Sequence, residues 1–171
     1  MVRALGAGPL IVPVFCLLLV SGLAPSSPAQ TDMFGCGPEK QKFNITIHKG
    51  QHPMPEPPPG KAVVYVFRAK KYPDSARRFS LRTLLSVNGK WVGVNRFQTY
   101  FYFEADPGLL RLCSKLEKRP PVFMNLTVEA GKSYYIRQWV VFFDHEITQV
   151  PEQEARRLLA KCDYAAFKGK P

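Results

Sequence analysis

The sequence predicts a mainly β protein, an antiparallel β-sandwich of about seven strands closed by one C-terminal α-helix. Three observations carry that expectation. From Lys61 to Val150 the chain is a series of short apolar runs separated by turn signals. Those runs are rich in the β-branched and aromatic residues that suit a pleated, half-buried surface. An apolar stripe with helical period occurs near the C-terminus, after the last of these runs.

The elements follow in order. "FNITI" (43–47) alternates β-branched residues and is a short edge-strand candidate. "PMPEPPPG" (53–60) holds five prolines in eight residues. Proline fixes φ and donates no hydrogen bond, so the stretch is expected to be a stiff extended spacer. It sets the boundary of the main domain at about residue 60. "AVVYVFRA" (62–69) is apolar on both faces. "SLRTLLSV" (80–87) and "KWVGV" (90–94) flank Asn88-Gly89, the pair a tight type I′ hairpin prefers because both central residues need φ > 0. "FQTYFYFEA" (97–105) leads into Asp106-Pro107-Gly108, a turn with proline presetting φ and glycine accepting φ > 0. "LLRLCSKL" (109–116), "VFMNLTVEAG" (122–131), "SYYIRQWVVFF" (133–143) and "EITQV" (146–150) complete the strands. An immunoglobulin-like or prealbumin-like sandwich is the expected arrangement, and about 100 residues suffice for its core.

In "VPEQEARRLLAKC", Pro151 suits the first helical turn, and Glu152 and Glu154 suit the positive dipole end. Glu152 and Arg156 are spaced for an i,i+4 pair. Ala155, Leu158, Leu159 and Cys162 form one apolar stripe, which points Cys162 at the sheet. The residues after it, 164–171, read as a flexible tail.

The N-terminus carries Arg3, an apolar run from Leu10 to Leu23 interrupted by Pro13, and a small-residue site ending at Ala29. A spanning helix needs about 20 apolar residues, so residues 1–29 read as a secretory signal peptide. An uncleaved N-terminal anchor is the alternative. A lipoprotein fits less well, because 12 residues separate Cys36 from Leu23. Export removes Cys16 and leaves Cys36, Cys113 and Cys162, enough for one disulfide and one thiol. Cys-x-x-Cys does not occur, which excludes thioredoxin-like redox and zinc-ribbon chemistry.

The chain carries 24 Lys and Arg against 13 Asp and Glu. Losing Arg3 with the leader lowers the net charge from +11 to +10. Such charge favours acidic surroundings, anionic glycans or lipid headgroups, unless it serves solubility alone. "RAKKYPDSARRFSLR" gathers Arg68, Lys70, Lys71, Arg77, Arg78 and Arg82 around Tyr72 with one acid, Asp74, at a strand-to-strand connection. These six are the candidate polyanion contact; export argues against nucleic acid as the polyanion.

Catalytic and cofactor motifs are wanting. Gly-x-Ser-x-Gly does not occur. "EAGKS" lacks the first glycine of a phosphate loop and reads as a β-turn. His48 and His52 are four apart, but Gly50 and Pro53 argue against the helix that would align them on a metal. His145, between Asp144 and Glu146, could be held as a general base and is the residue a hydrolase would use; as "DHE" it reads as a turn between two strands. No catalytic residue, metal site or cofactor is expected.

"GKAVVYVFRA", "SVNGKWVGVNRFQTYFYFEADPGLLRLC" and "VEAGKSYYIRQ", in this order and spacing, resemble exported bacterial proteins of domain-of-unknown-function family 2846. The likeness runs from about Cys36 to Cys162. Cys36-Gly37-Pro38, His52-Pro53 and Cys113 resemble a subgroup. The resemblance implies a small exported β-sandwich without known activity. It also implies that Cys36 pairs with Cys113 and leaves Cys162 as the free thiol. The 70–78 connection is unlike these relatives, so its basic cluster is not implied by them. Alternation sets Leu110 and Leu112 on one face and Arg111 and Cys113 on the other, where a crossing N-terminal segment could be tied down. Function is then expected to be a non-enzymatic binding or scaffolding module of the bacterial envelope. A hydrolase using His145 and an assembly subunit joined at a strand edge are the alternatives.

"TYFYF" sets Tyr100 and Tyr102 on one face and Phe101 and Phe103 on the other. Either the N-terminal segment or the last helix covers the tyrosines, or Trp91, Tyr100 and Tyr102 form an open aromatic surface for a ligand.

Overall fold

The computed structural model describes residues 35–38, 43–69, 81–117, 119–141 and 144–169. The signal-peptide region lies outside them, as do Lys70, Lys71, Arg77 and Arg78. Among the described residues, ten strands and one helix follow in order: β1 (Phe43–His48), β2 (Ala62–Arg68), β3 (Thr83–Val87), β4 (Lys90–Asn95), β5 (Thr99–Ala105), β6 (Gly108–Leu116), β7 (Val122–Val128), β8 (Ser133–Val141), β9 (Asp144–Gln149), α1 (Glu152–Leu159) and β10 (Asp163–Gly169). They form a six-stranded sheet, β1-β10-β5-β2-β8-β9, and a four-stranded sheet, β4-β3-β6-β7.

The mainly β sandwich with its C-terminal helix is as expected, with ten strands among the described residues rather than about seven, and with three further differences. First, the tail is not loose. Asp163–Gly169 is strand β10, antiparallel to β1 and parallel to β5 through Asp163↔Thr99 and Tyr164↔Tyr100. Second, residue 60 is no boundary: β1 belongs to the larger sheet, and the described residues fall in one unit, Asp32–Pro171. Third, only the smaller sheet is wholly antiparallel. In the larger, β2 and β8 are parallel, as are β5 and β10. The reason is the path. After β2 the chain crosses to the other sheet for β3 and β4, returns for β5, leaves for β6 and β7, and returns again for β8. Spatial neighbours in the larger sheet are therefore distant in sequence.

The turns obey their chemistry. Asn88 and Gly89 adopt φ 49° and 78°, as a type I′ hairpin requires. Gly108 has φ 135° in the Asp-Pro-Gly turn. Gly93 in β4 lies flat against the Phe101 ring, where a Cβ would overlap it.

β2 is buried along its whole length because it has a core on each side. Ala62, Val64 and Val66 face the other sheet and pack with Leu85, Phe101, Leu112, Leu126 and Ile136. Val63, Tyr65 and Phe67 face the other way and pack with Tyr100, Tyr135, Ala155, Leu159 and Cys162. The helical stripe thus docks on the outer face of the larger sheet. Glu152 accepts from Arg156 Nε at 2.7 Å, the expected i,i+4 pair. Pro151 sits one position before the helix, as its cap.

Candidate functional site

The tyrosine face is covered. Tyr100 is fully buried and Tyr102 half-buried. The helix lies over part of it, and the proline segment over the rest: Tyr100 Oη donates to Pro53 O at 3.0 Å and Tyr65 Oη to Pro55 O at 2.6 Å. Burial, and then the neighbouring Tyr135, pushes the Tyr65 hydroxyl up to about 12. Tyr100 rises as well, chiefly through burial. Phe101 and Phe103 pack on the inner face, as alternation required. Trp91 does not join the tyrosines. It stands on β4 in the other sheet, edge-on to Phe43 at 5.8 Å, and donates to Pro38 O at 3.1 Å. The expected open platform of Trp91, Tyr100 and Tyr102 is therefore not assembled, because the 96–98 connection carries the chain from β4 in one sheet to β5 in the other.

Trp91 instead belongs to a staple. Cys36 and Cys113 form a disulfide with Cα atoms 5.3 Å apart. Cys113 shares a cross-strand row with Ser86 and Phe123, on the face of β6 away from Leu110 and Leu112. Residues 35–38 cross that face, and Gly37 lies so close to the Trp91 indole and Gly89 O that a side chain would have no room. Cys162 is the free thiol, buried beneath the helix, and burial pushes it up to about 12. A disulfide belongs to oxidising compartments rather than the reducing cytosol. Among the described residues, no helix is long and apolar enough to cross a membrane.

The registers give the sandwich two unlike ends. At one end lie the 88–89, 106–107 and 129–132 turns, with ion pairs Lys61–Asp106 and Glu129–Lys132. From the other end the connections 69–82, 96–98 and 117–121 leave, together with Lys49 and Lys161. Arg82, Arg96 and Arg119 stand on those connections; Glu117, Glu146 and Asp163 are acids of the same end. Arg68 is not a surface contact. It is 3% exposed, its Nη1 donates to Leu81 O at 2.6 Å, and burial lowers its pKa from 12.5 to about 10. It points inward because it continues the Val64, Val66 row of β2. Of the six candidate contacts, Arg82 is described as half-buried, and Lys70, Lys71, Arg77 and Arg78 lie outside the described residues.

Beneath this end is a buried polar cluster that the sequence reading did not find. Gln138 Oε1 accepts from Asn95 Nδ2 at 2.9 Å and Thr83 Oγ1 at 3.1 Å. Its Nε2 donates to Ser114 Oγ at 3.0 Å. Asn95 also donates to Val66 O, and Thr99 Oγ1 donates to Asn95 Oδ1. His145 is part of this layer. It is not a turn residue: it lies in β9, 3% exposed, with Nε2 at 3.0 Å from Ser114 O. Val141 and Asp144 are already paired, so the connection is only residues 142–143. His48 stacks on Tyr164 at 5.8 Å and His52 is exposed. Among the described residues, no three of His, Cys, Asp and Glu gather as a metal site would need.

No known family profile matches the chain, and no solved structure is significantly similar to it. It is similar to an uncharacterized protein of Haemophilus influenzae, 26% identical over 113 residues, which are 64% of this chain and 64% of that protein. The match thus spans less than two thirds of that protein's length.

Proposed function

We propose that the chain is an exported, non-enzymatic binding or scaffolding domain of the bacterial cell envelope that meets polyanions with the basic end of its sandwich. One observation carries the reading. β2 ends and β3 begins at the end that also bears Lys49, Arg96, Arg119 and Lys161, and the sequence joining those two strands holds Lys70, Lys71, Arg77, Arg78 and Arg82 against the single acid Asp74. Positive charge concentrated at one end attracts anionic ligands more strongly than the same charge spread over the surface. At the opposite end Lys61 and Lys132 pair with acids. The leader-like N-terminus, the disulfide and the resemblance to exported proteins of domain-of-unknown-function family 2846 support export. The burial of His145 against a strand backbone supports the non-enzymatic reading.

Phosphatidylglycerol vesicles and heparin, as lipid and glycan probes, test the reading at low and high salt against phosphatidylcholine vesicles. Binding to an anionic probe is expected, weakened by salt and by joint Arg77→Ala and Arg78→Ala. Binding to neither probe, or binding indifferent to both salt and the double substitution, overturns it.

A further inference from the structure

Residues 51–60, "QHPMPEPPPG", cross the outer face of the larger sheet between the end of β1 and the start of β2. Five tyrosines lie on that face. The rings of Tyr65 and Tyr135 stack at 5.2 Å, those of Tyr102 and Tyr164 at 5.5 Å, and Tyr100 meets Tyr164 at 5.6 Å. Two hydroxyls on adjacent strands reach the segment's main chain, Tyr100 to Pro53 O and Tyr65 to Pro55 O. These carbonyls are suitable acceptors, because an extended proline-rich chain makes no hydrogen bonds within itself. Met54 stands between the two and packs into the tyrosine cluster, with Arg156 Nη1 at 4.0 Å from its sulfur. Pro55 and Glu56 are exposed; Pro53, Pro57 and Pro58 are half-buried.

The contact is therefore directional rather than a filling of core volume. Two main-chain carbonyls, two residues apart, are read by hydroxyls, and one side chain is anchored. Stacked aromatic rings with donors at their tips, facing an extended proline-rich chain, are the chemistry of polyproline-recognition grooves. We propose that the tyrosine face is such a groove, occupied in cis by residues 53–59, and that its partner class is an extended proline-rich peptide. The segment is tied to β1 on one side and β2 on the other, so it competes at an effective concentration on the order of millimolar. An outside peptide gains access once that segment is weakened.

The test uses the full chain with Pro53→Ser, Met54→Ser and Pro55→Ser, and a fluorescein-labelled peptide of sequence QHPMPEPPPGK read by anisotropy. Saturable binding to this variant, at least ~10-fold tighter than to the unsubstituted chain, is the expected result. Adding Tyr65→Phe and Tyr100→Phe to the variant abolishes it, as does replacing the peptide's prolines with alanine. A folded variant that binds no peptide overturns the proposal, and so does binding that survives loss of both hydroxyls or of the prolines. If the triple variant does not fold, Met54→Ser alone is read in the same assay with the same outcomes. The basic end plays no part in this assay, so its result leaves the polyanion reading untouched.

Discussion

Gln138 shows what one residue does in this fold. Its amide has both oxygen and nitrogen committed, and it joins strand β8 of one sheet to β3, β4 and β6 of the other. Replacing it by alanine leaves Asn95, Thr83 and Ser114 short of partners and opens a cavity. We expect Gln138→Ala to lower stability by about 3 kcal/mol in denaturant unfolding; a loss below about 1 kcal/mol would contradict the hub role. This cluster was legible in principle. Arg68 follows Val66 by two, Ser114 follows Leu112, Gln138 follows Ile136, and Thr83 precedes Leu85. Each polar residue continues an inward row, yet alone it looks like the frayed end of a strand. Only the registers reveal that Thr83, Ser114 and Gln138 meet. The tyrosines offer a second test at this scale. Burial raises the Tyr65 ionisation from 10.0 to about 12. Above pH 10 the unfolded chain releases this proton while the folded chain keeps it. Stability is therefore fully present below pH 10 and falls as pH rises toward 12. Tyrosinate absorbance should show late titration in the folded chain that becomes ordinary in denaturant and loses one late-titrating group with Tyr65→Phe.

Among the elements, those with strong local patterns were read correctly. β2 has apolar residues on both faces, and both faces are buried. Asn88-Gly89 adopts the turn its residues prefer. The helix places Ala155, Leu159 and Cys162 on the sheet. β10 was missed because its strand character is tertiary. "DYAAFKG" is short, follows the helix directly, and gains its conformation from β1 and two residue pairs with β5. The sequence sets the N-terminal arm apart at about residue 60, whereas its partners lie 47 to 77 residues away. The staple binds that arm to β6. A non-reducing peptide map should link Cys36 to Cys113 and leave Cys162 alkylatable only after unfolding. Reduction should cost about 2–4 kcal/mol, the usual effect of opening a long loop. A Cys113–Cys162 peptide would contradict the arrangement.

On the scale of the whole molecule, the chain wraps itself. The helix and proline segment cover the outer face of one sheet, and residues 35–38 cross the outer face of the other. What stays distinctive is the contrast between ends: ion-paired turns at one, and a buried polar layer under the basic connections at the other. Of the basic cluster, Arg68 belongs to the interior because it continues an inward row of β2, while Arg96 and Arg119, at the same end of the sandwich, come from elsewhere in the sequence. The most direct measurement is the affinity for heparin as a function of salt, for the intact chain and for the joint Arg77→Ala, Arg78→Ala variant. A surface that displaces counterions gives a logarithmic affinity falling linearly with the logarithm of salt, with a slope that shrinks as basic contacts are removed. The account predicts a steep slope for the intact chain and one shallower by about two for the variant. A slope near zero, or the same slope in both, would contradict it.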